Sequence, residues 1–169
     1  MERKGIVTLN GNPLTLLGNE LKAGDKAPNV ALVSNDMALV ELSKFKGKKI
    51  VISAVPSLDT PVCDIETKKF NKHASELGKD VVILTVSMDL PFAQKRWCGA
   101  GDIEKVITLS DHKDASFGTL YGVLIKELRL LARTIFVIDK EGIIRYIQSV
   151  GEVTKEPNYQ EVLSAVKKL

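Results

Sequence analysis

The stretch Pro56-Ser57-Leu58-Asp59-Thr60-Pro61-Val62-Cys63 sets a thiol, a hydroxyl and two prolines between an apolar run and an amphipathic one. Thr60 is a favoured N-cap, and Pro61 suits the first helical position because its missing N–H has no intrahelical partner there. On that count Cys63 takes the third helical position. Free backbone N–H groups and the positive end of the macrodipole favour an anion at that point. The thiolate is the nucleophilic form of cysteine, so the spacing points to thiol chemistry. A dipole end is worth only about 0.3–1 kcal/mol when exposed, and Asp59 and Asp64 oppose a further negative charge. A cation from elsewhere in the chain is therefore expected. Arg133, in Leu130-Leu131-Ala132-Arg133-Thr134-Ile135, is the candidate. It stands at the entry to an apolar strand, where an unpaired charge is costly. Its guanidinium offers several donors in a fixed fork.

Each of these residues also has a structural role open to it. Cys63 could be a small apolar side chain in the core, Thr60 a helix cap and nothing more, and Arg133 a strand-edge charge reaching solvent. The chain holds two cysteines. In a reducing compartment such a pair is more often free, catalytic or redox-active than a structural disulfide. The second, Cys98, lies in Arg96-Trp97-Cys98-Gly99, and by itself it could equally be a buried apolar thiol beside Trp97. His73 and His112 stand at no metal-ligand spacing with a cysteine or with each other.

The elements that must position these groups follow from periodicity and turn signals. Ile6–Leu9 and Leu14–Leu17 flank Asn10-Gly11-Asn12-Pro13 and predict a β-hairpin over 5–17. Val30–Val33 and Leu39–Leu42 are short strand candidates. Ile50–Val55 and Val81–Met88 are continuous apolar runs, as in strands covered on both faces. Between them the spacing predicts a helix over Pro61–Leu77, with Val62, Ile65, Phe70, Ala74 and Leu77 inward and Gly78 as the stop. Two such strands joined by a helix form a right-handed parallel βαβ unit. A short helix is expected over Phe92–Cys98, ended by Gly99-Ala100-Gly101, then a strand over 106–109 and a helix over 114–121. Thr134–Ile138 and Ile143–Ile147 flank a four-residue turn and predict a second hairpin, followed by a helix over 158–169. This order predicts a single α/β domain over 1–169. It has a thioredoxin-like fold, a central mixed sheet flanked by helices, with an N-terminal β-hairpin extension.

Composition narrows the function class. Apolar residues make up 44% and charged residues 27% of the 169, and the formal charge is +3. Those values fit a globular chain and give no reason to expect nucleic acid. The basic run Lys44, Lys46, Lys48, Lys49 contains Gly47 and lies between apolar segments, as a solvated turn would. No apolar run approaches the ~20 residues needed to span a bilayer. The charged start Met1-Glu2-Arg3-Lys4 leads into no long apolar region, so a cytoplasmic location without membrane attachment is expected.

Pro56-x-x-x-Thr60-x-x-Cys63 directly after an apolar strand resembles the active-site motif of the peroxiredoxins. Gly24-Asp25-x-Ala27-Pro28, Leu42-Ser43, Gly47-Lys48 and Arg133 ahead of Phe136-Val137-Ile138-Asp139 agree with it. The segment Asp89–Ala100, with Arg96-Trp97-Cys98-Gly99-Ala100, is similar to the resolving-cysteine segment of the bacterial thiol peroxidase subfamily, the atypical two-cysteine peroxiredoxins. The resemblance covers nearly the whole chain. It implies that Cys63 attacks hydrogen peroxide or an organic hydroperoxide and becomes a sulfenic acid, with Arg133 and Thr60 holding the peroxide oxygens and Pro56 shielding the pocket. It further implies that Cys98 closes an intramolecular disulfide that thioredoxin or a similar dithiol protein reduces; because a disulfide needs Cα atoms within ~7 Å, the start of the Cys63 helix or the Cys98 segment is expected to unwind locally. No metal, flavin or haem is implied, and a homodimer is. Asp64-Ile65-Glu66 departs from the subfamily's pattern by setting two acids after the nucleophile. They are expected to complement the helix dipole. Two other readings use the same thiols: a disulfide oxidoreductase on this fold, though no Cys-x-x-Cys is present, and a redox-sensing or chaperone-like binder.

Overall fold

A computed structural model describes residues 1–169. Strand β1 (Glu2–Leu9) turns at Asn10-Gly11 into β2 (Asn12–Leu17). Both turn residues are left-handed, at φ +50° and +79°, as a two-residue hairpin turn with right-handed strand twist demands. The hairpin is longer than its apolar pattern suggests, because charged Glu2, Arg3 and Lys4 continue the ladder past a bulge between Lys4 and Val7. It is also not a free-standing extension. Two short strands that periodicity did not signal, β8 (Leu124–Ile125) and β9 (Leu130–Leu131), complete a four-stranded sheet in the order β1-β2-β8-β9.

The second sheet has seven strands. After β3 (Ala31–Val33) and β4 (Leu39–Glu41) come β5 (Lys49–Ala54), β6 (Val81–Ser87), β7 (Val106–Ser110), β10 (Thr134–Ile138) and β11 (Ile144–Ser149). Their spatial order is β11-β10-β5-β6-β7-β3-β4. β5, β6 and β7 run parallel, while β10 joins β5, and β3 joins β7, antiparallel. This mixed sheet is the thioredoxin-like core. Helices α1 (Pro61–His73), α2 (Pro91–Gly101), α3 (Ser116–Leu120) and α4 (Tyr159–Lys167) flank it.

Strand parity divides the core. Ile50, Ile52 and Ala54 of β5, with Phe136 and Ile138 of β10, join the larger cluster under the hairpin sheet. Val51, Ile135 and Val137 point the other way and meet Phe70 of α1 and Val162 and Val166 of α4. Side chains alternate along a strand, so Ser53 shares the α1 face, and so does Arg133, two residues before Ile135. Burying Phe70 completely contributes about 1.5–3 kcal/mol, enough to seat α1 on that face.

Three helices differ from their expected form. α1 stops at His73 and passes into a 3-10 turn over Ala74–Glu76. Its buried stripe is Cys63, Glu66, Thr67 and Phe70 rather than one through Ile65, which is 41% exposed. α2 does not end at the glycines. It continues through Gly99 and Gly101 until Asp102 turns left-handed at φ +51°. α3 is short because Ala115 is itself left-handed, at φ +50°, and the buried Asp111 carboxylate accepts from the N–H groups of Phe117 and Gly118. No helix is long and apolar enough to cross a membrane.

Candidate active site

The loop from β5 to α1 is tied down by a residue that sequence reasoning passed over. Asp89, between β6 and α2, accepts from Ser57 Oγ at 2.7 Å, from the Leu58 N–H at 2.8 Å and from Ser87 Oγ at 2.7 Å. Pro56 is buried at the head of this loop, where it brings no N–H to compete for an acceptor. Thr60 is the N-cap by backbone, at φ −89° and ψ 144°, yet its hydroxyl makes no cap hydrogen bond. Instead Oγ1 donates back to the Ser57 carbonyl at 2.8 Å. The first-turn N–H groups at Val62 and Cys63 therefore keep no capping partner, and the positive end of α1 stays available to an anion.

Cys63 lies at that end, fully buried against Val55, Leu58 and the ring of Trp97. The cation it needs comes from the far side of the sequence. Arg133 Nη2 stands 3.3 Å from Cys63 Sγ and also donates to the Val153 carbonyl at 3.0 Å. Nη1 donates to Glu66 Oε2, and Ser53 Oγ donates to Glu66 Oε1 at 2.7 Å. Arg133 and Glu66 are both essentially without solvent exposure. Burial pushes the Glu66 carboxyl above its usual range, with the guanidinium opposing that shift. Arg133 is buried too, which works against its charge, but Glu66 and Cys63 more than offset it and hold the guanidinium protonated.

Glu66 is the residue of this cluster that the sequence misplaced. As one of two acids after Cys63 it was expected to serve the helix dipole. It faces inward one turn below Cys63 and accepts from Arg133 Nη1. The i,i+3 spacing of Cys63 and Glu66 was the available signal, because it places both on one helical face. Arg133 Nε has no partner, an expensive state for a buried donor unless a ligand completes it.

The hairpin reaches this cluster indirectly. The Glu152 carboxylate accepts from Thr8 Oγ1 and from the N–H groups of Asn10 and Gly11. These bonds hold its pKa down to about 2. The Val153 N–H donates to the Thr8 carbonyl at 2.9 Å. The N-terminal strands thus clamp the loop whose Val153 carbonyl receives Arg133.

Cys98 is set apart from this arrangement. It is half-buried on α2 and packs with the cluster around Phe70 and Ile103, not with Val55, Leu58 and Cys63. Its sulfur is 3.4 Å from Thr108 Oγ1 and 4.0 Å from Asn35 Nδ2. Both thiols are free. Trp97 stands between the two sites and donates from Nε1 to Asp64 Oδ1 at 3.0 Å, while Lys68 pairs with Oδ2 at 2.9 Å.

The arrangement joins a buried thiol, a helix start and a fixed guanidinium, with a second thiol one helix away. Residues 22–163 match the Redoxin family. The chain belongs to the Redoxin family. Among its redoxin relatives, the thiol peroxidase of Halalkalibacterium halodurans is 54% identical over 161 residues, covering 95% of this chain and 96% of that one. The thiol peroxidase of Bacillus subtilis is 52% identical over 163 residues, covering 96% and 97%. The crystal structure of a peroxiredoxin-like protein from Aquifex aeolicus superposes with a TM-score of 0.91 at 47% identity, covering 98% of this chain and 96% of that one. The redoxin fold therefore extends over the hairpin and α4 as well as the central sheet.

The histidines lie outside the site. His73 Nδ1 meets Glu76 at 3.2 Å and His112 Nδ1 meets Ser110 at 3.0 Å.

Proposed function

We propose that residues 1–169 act as one thioredoxin-like peroxiredoxin domain, a thiol-dependent peroxidase whose nucleophile is Cys63. The observation that carries this reading is the Arg133 guanidinium 3.3 Å from a fully buried Cys63 sulfur at a helix start. Cys63 thiolate attacks one oxygen of hydrogen peroxide or an organic hydroperoxide. The O–O bond breaks, the sulfur gains an OH as sulfenic acid, and the other oxygen leaves with a proton as water or an alcohol. Arg133, with its free Nε–H, holds the peroxide oxygen on which negative charge develops, and the Thr60 oxygen, its own proton on the Ser57 carbonyl, accepts from the peroxide O–H. Pro56 keeps water out of the pocket. Cys98 then condenses with the sulfenic acid, releasing water and forming a Cys63–Cys98 disulfide. A dithiol protein of the thioredoxin type returns both thiols while its own pair is oxidised. The reaction calls on no cofactor, and we place the enzyme in the cytoplasm, acting as a homodimer.

Thioredoxin-coupled peroxide turnover of wild type, Cys63→Ser and Cys98→Ser tests the assignment. Cys63→Ser is expected to react with no peroxide, and Cys98→Ser to complete one turnover without recycling through the disulfide. Turnover by Cys63→Ser at the wild-type rate would sink it.

A further inference from the structure

The residue after Cys63 is bonded to the residue before Cys98, through the 3.0 Å hydrogen bond from Trp97 Nε1 to Asp64 Oδ1. The same indole packs on the Val55, Leu58 and Cys63 cluster, so it covers the nucleophile from the α2 side. The attachment of α2 is uneven along its length. Gln94 is fully buried and donates to Ser87 Oγ and to the Leu109 carbonyl, each at 3.0 Å. Asp89, just before the helix, anchors the Ser57–Leu58 loop. These contacts pin the first half. Beyond Gln94, Lys95 and Arg96 are exposed. What holds that half is the Trp97 hydrogen bond, apolar packing, and the Cys98 thiol against Thr108 and Asn35, where sulfur is a weak donor and acceptor. Gly99 and Gly101 follow, residues that weaken a helix.

We propose that the Trp97–Asp64 hydrogen bond is a latch between α1 and α2 that sets how fast the Cys63 sulfenic acid becomes the Cys63–Cys98 disulfide. The proposal rests on the peroxidase reading above and assigns Trp97 as a positioning residue for its second step. Cys98 packs apart from Cys63, so the disulfide needs the stretch beyond Gln94, or the first turn of α1, to leave its place. Either movement separates Trp97 from Asp64. A bond made in the packed arrangement and lost on opening raises the barrier to opening by its own net worth. Once open, the Cys98 thiolate attacks the Cys63 sulfenic sulfur. A sulfur–sulfur bond forms, the S–O bond breaks and the hydroxide leaves as water with a proton from solvent. While the latch is closed, a second peroxide can oxidise the sulfenic acid to sulfinic acid, with water or alcohol as the other product. The latch thus divides oxidised Cys63 between recycling and overoxidation.

Rapid quenching with mass spectrometry, using hydrogen peroxide as oxidant, follows loss of the Cys63 thiol and appearance of the disulfide as separate steps. Trp97→Phe retains a ring for packing but has no donor. Asp64→Ala removes the acceptor, and Asp64→Asn retains Oδ1 as one. In Trp97→Phe and Asp64→Ala the ratio of disulfide formation to thiol loss is expected to rise about threefold to tenfold, the factor one net hydrogen bond represents. The sulfinic fraction at a fixed peroxide concentration falls with it. Asp64→Asn is expected to keep the wild-type ratio. A ratio in Trp97→Phe and Asp64→Ala at or below that of wild type overturns the latch, while wild type still forming the disulfide leaves the peroxidase reading standing. A wild type that never loses its Cys63 thiol to peroxide overturns both.

Discussion

The two cysteines occupy opposite kinds of site. Cys63 is fully buried, with its sulfur 3.3 Å from a guanidinium that Glu66 and Val153 hold in place. Cys98 is half-buried, has only a hydroxyl and an amide as polar neighbours, and is followed by glycines in the last turn of its helix. A group that must meet a small neutral substrate at a defined angle gains from a rigid, charged setting. A group that must travel to its partner gains from weak attachment, and low local stability is where moving segments are drawn from. Under the proposed mechanism, the contrast separates the chemistry of attack from the mobility of resolution.

Four substitutions would break or sharpen that contrast. Cys63→Ser has the largest expected effect, complete loss of peroxide reduction in the coupled assay. Arg133→Lys comes next. It keeps the charge but loses the fork, and the rate of Cys63 thiol loss in a stopped-flow competition assay should fall about 10²-fold or more, as for one lost oxyanion donor. If that rate matched wild type, the rigid-site half of the comparison would fail.

Glu66→Ala leaves Arg133 and Ser53 without the buried oxygens that accept from them. Removing one partner of a buried ion pair destabilises by about 3–5 kcal/mol, so thermal denaturation should show a clear drop in midpoint. The pH dependence has a defined sign. Burial raises the Glu66 carboxyl above 4.5, so the folded state keeps a proton that the unfolded state has released. The associated stability is present below about 4.5 and is lost as pH climbs through the folded value. Glu66→Ala, with no group to titrate there, should lack this slope in denaturant titrations across that range.

The smallest effect belongs to the mobile side. Gly99→Ala adds a methyl that meets nothing within 4 Å and strengthens the helix by about 1 kcal/mol. Disulfide formation should slow about fivefold with attack by Cys63 left as it was. An unchanged disulfide rate would show that α2 keeps its last turn while the thiols meet.

Much of the fold was legible because its signals are local. Asn10-Gly11 forced the hairpin turn, the apolar runs at 50–55 and 81–88 became parallel strands, and Thr60-Pro61 marked the start of α1. Strands β8 and β9 escaped because two-residue pairings carry no periodicity. Ile65 and Glu66 were exchanged in expectation, since a carboxylate next to an apolar residue is ordinarily the outward one.

By itself the sequence determined that a cysteine stands in the first turn of a helix. The order strand, N-cap, proline and cysteine is short-range and fixes the helix start whatever surrounds it. It also placed Arg133 at a strand entry in phase with Ile135, which commits its side to one face of the sheet. Only the tertiary structure decided that this face is the one α1 covers, because the antiparallel pairing of β10 with β5 sets Ile135 opposite Ser53. That pairing brings residues 63, 66 and 133 into one buried cluster, where desolvation makes a charge affordable only with its partners present. Hence Glu66, an ordinary surface acid by sequence, is the residue that holds the arginine to the thiol.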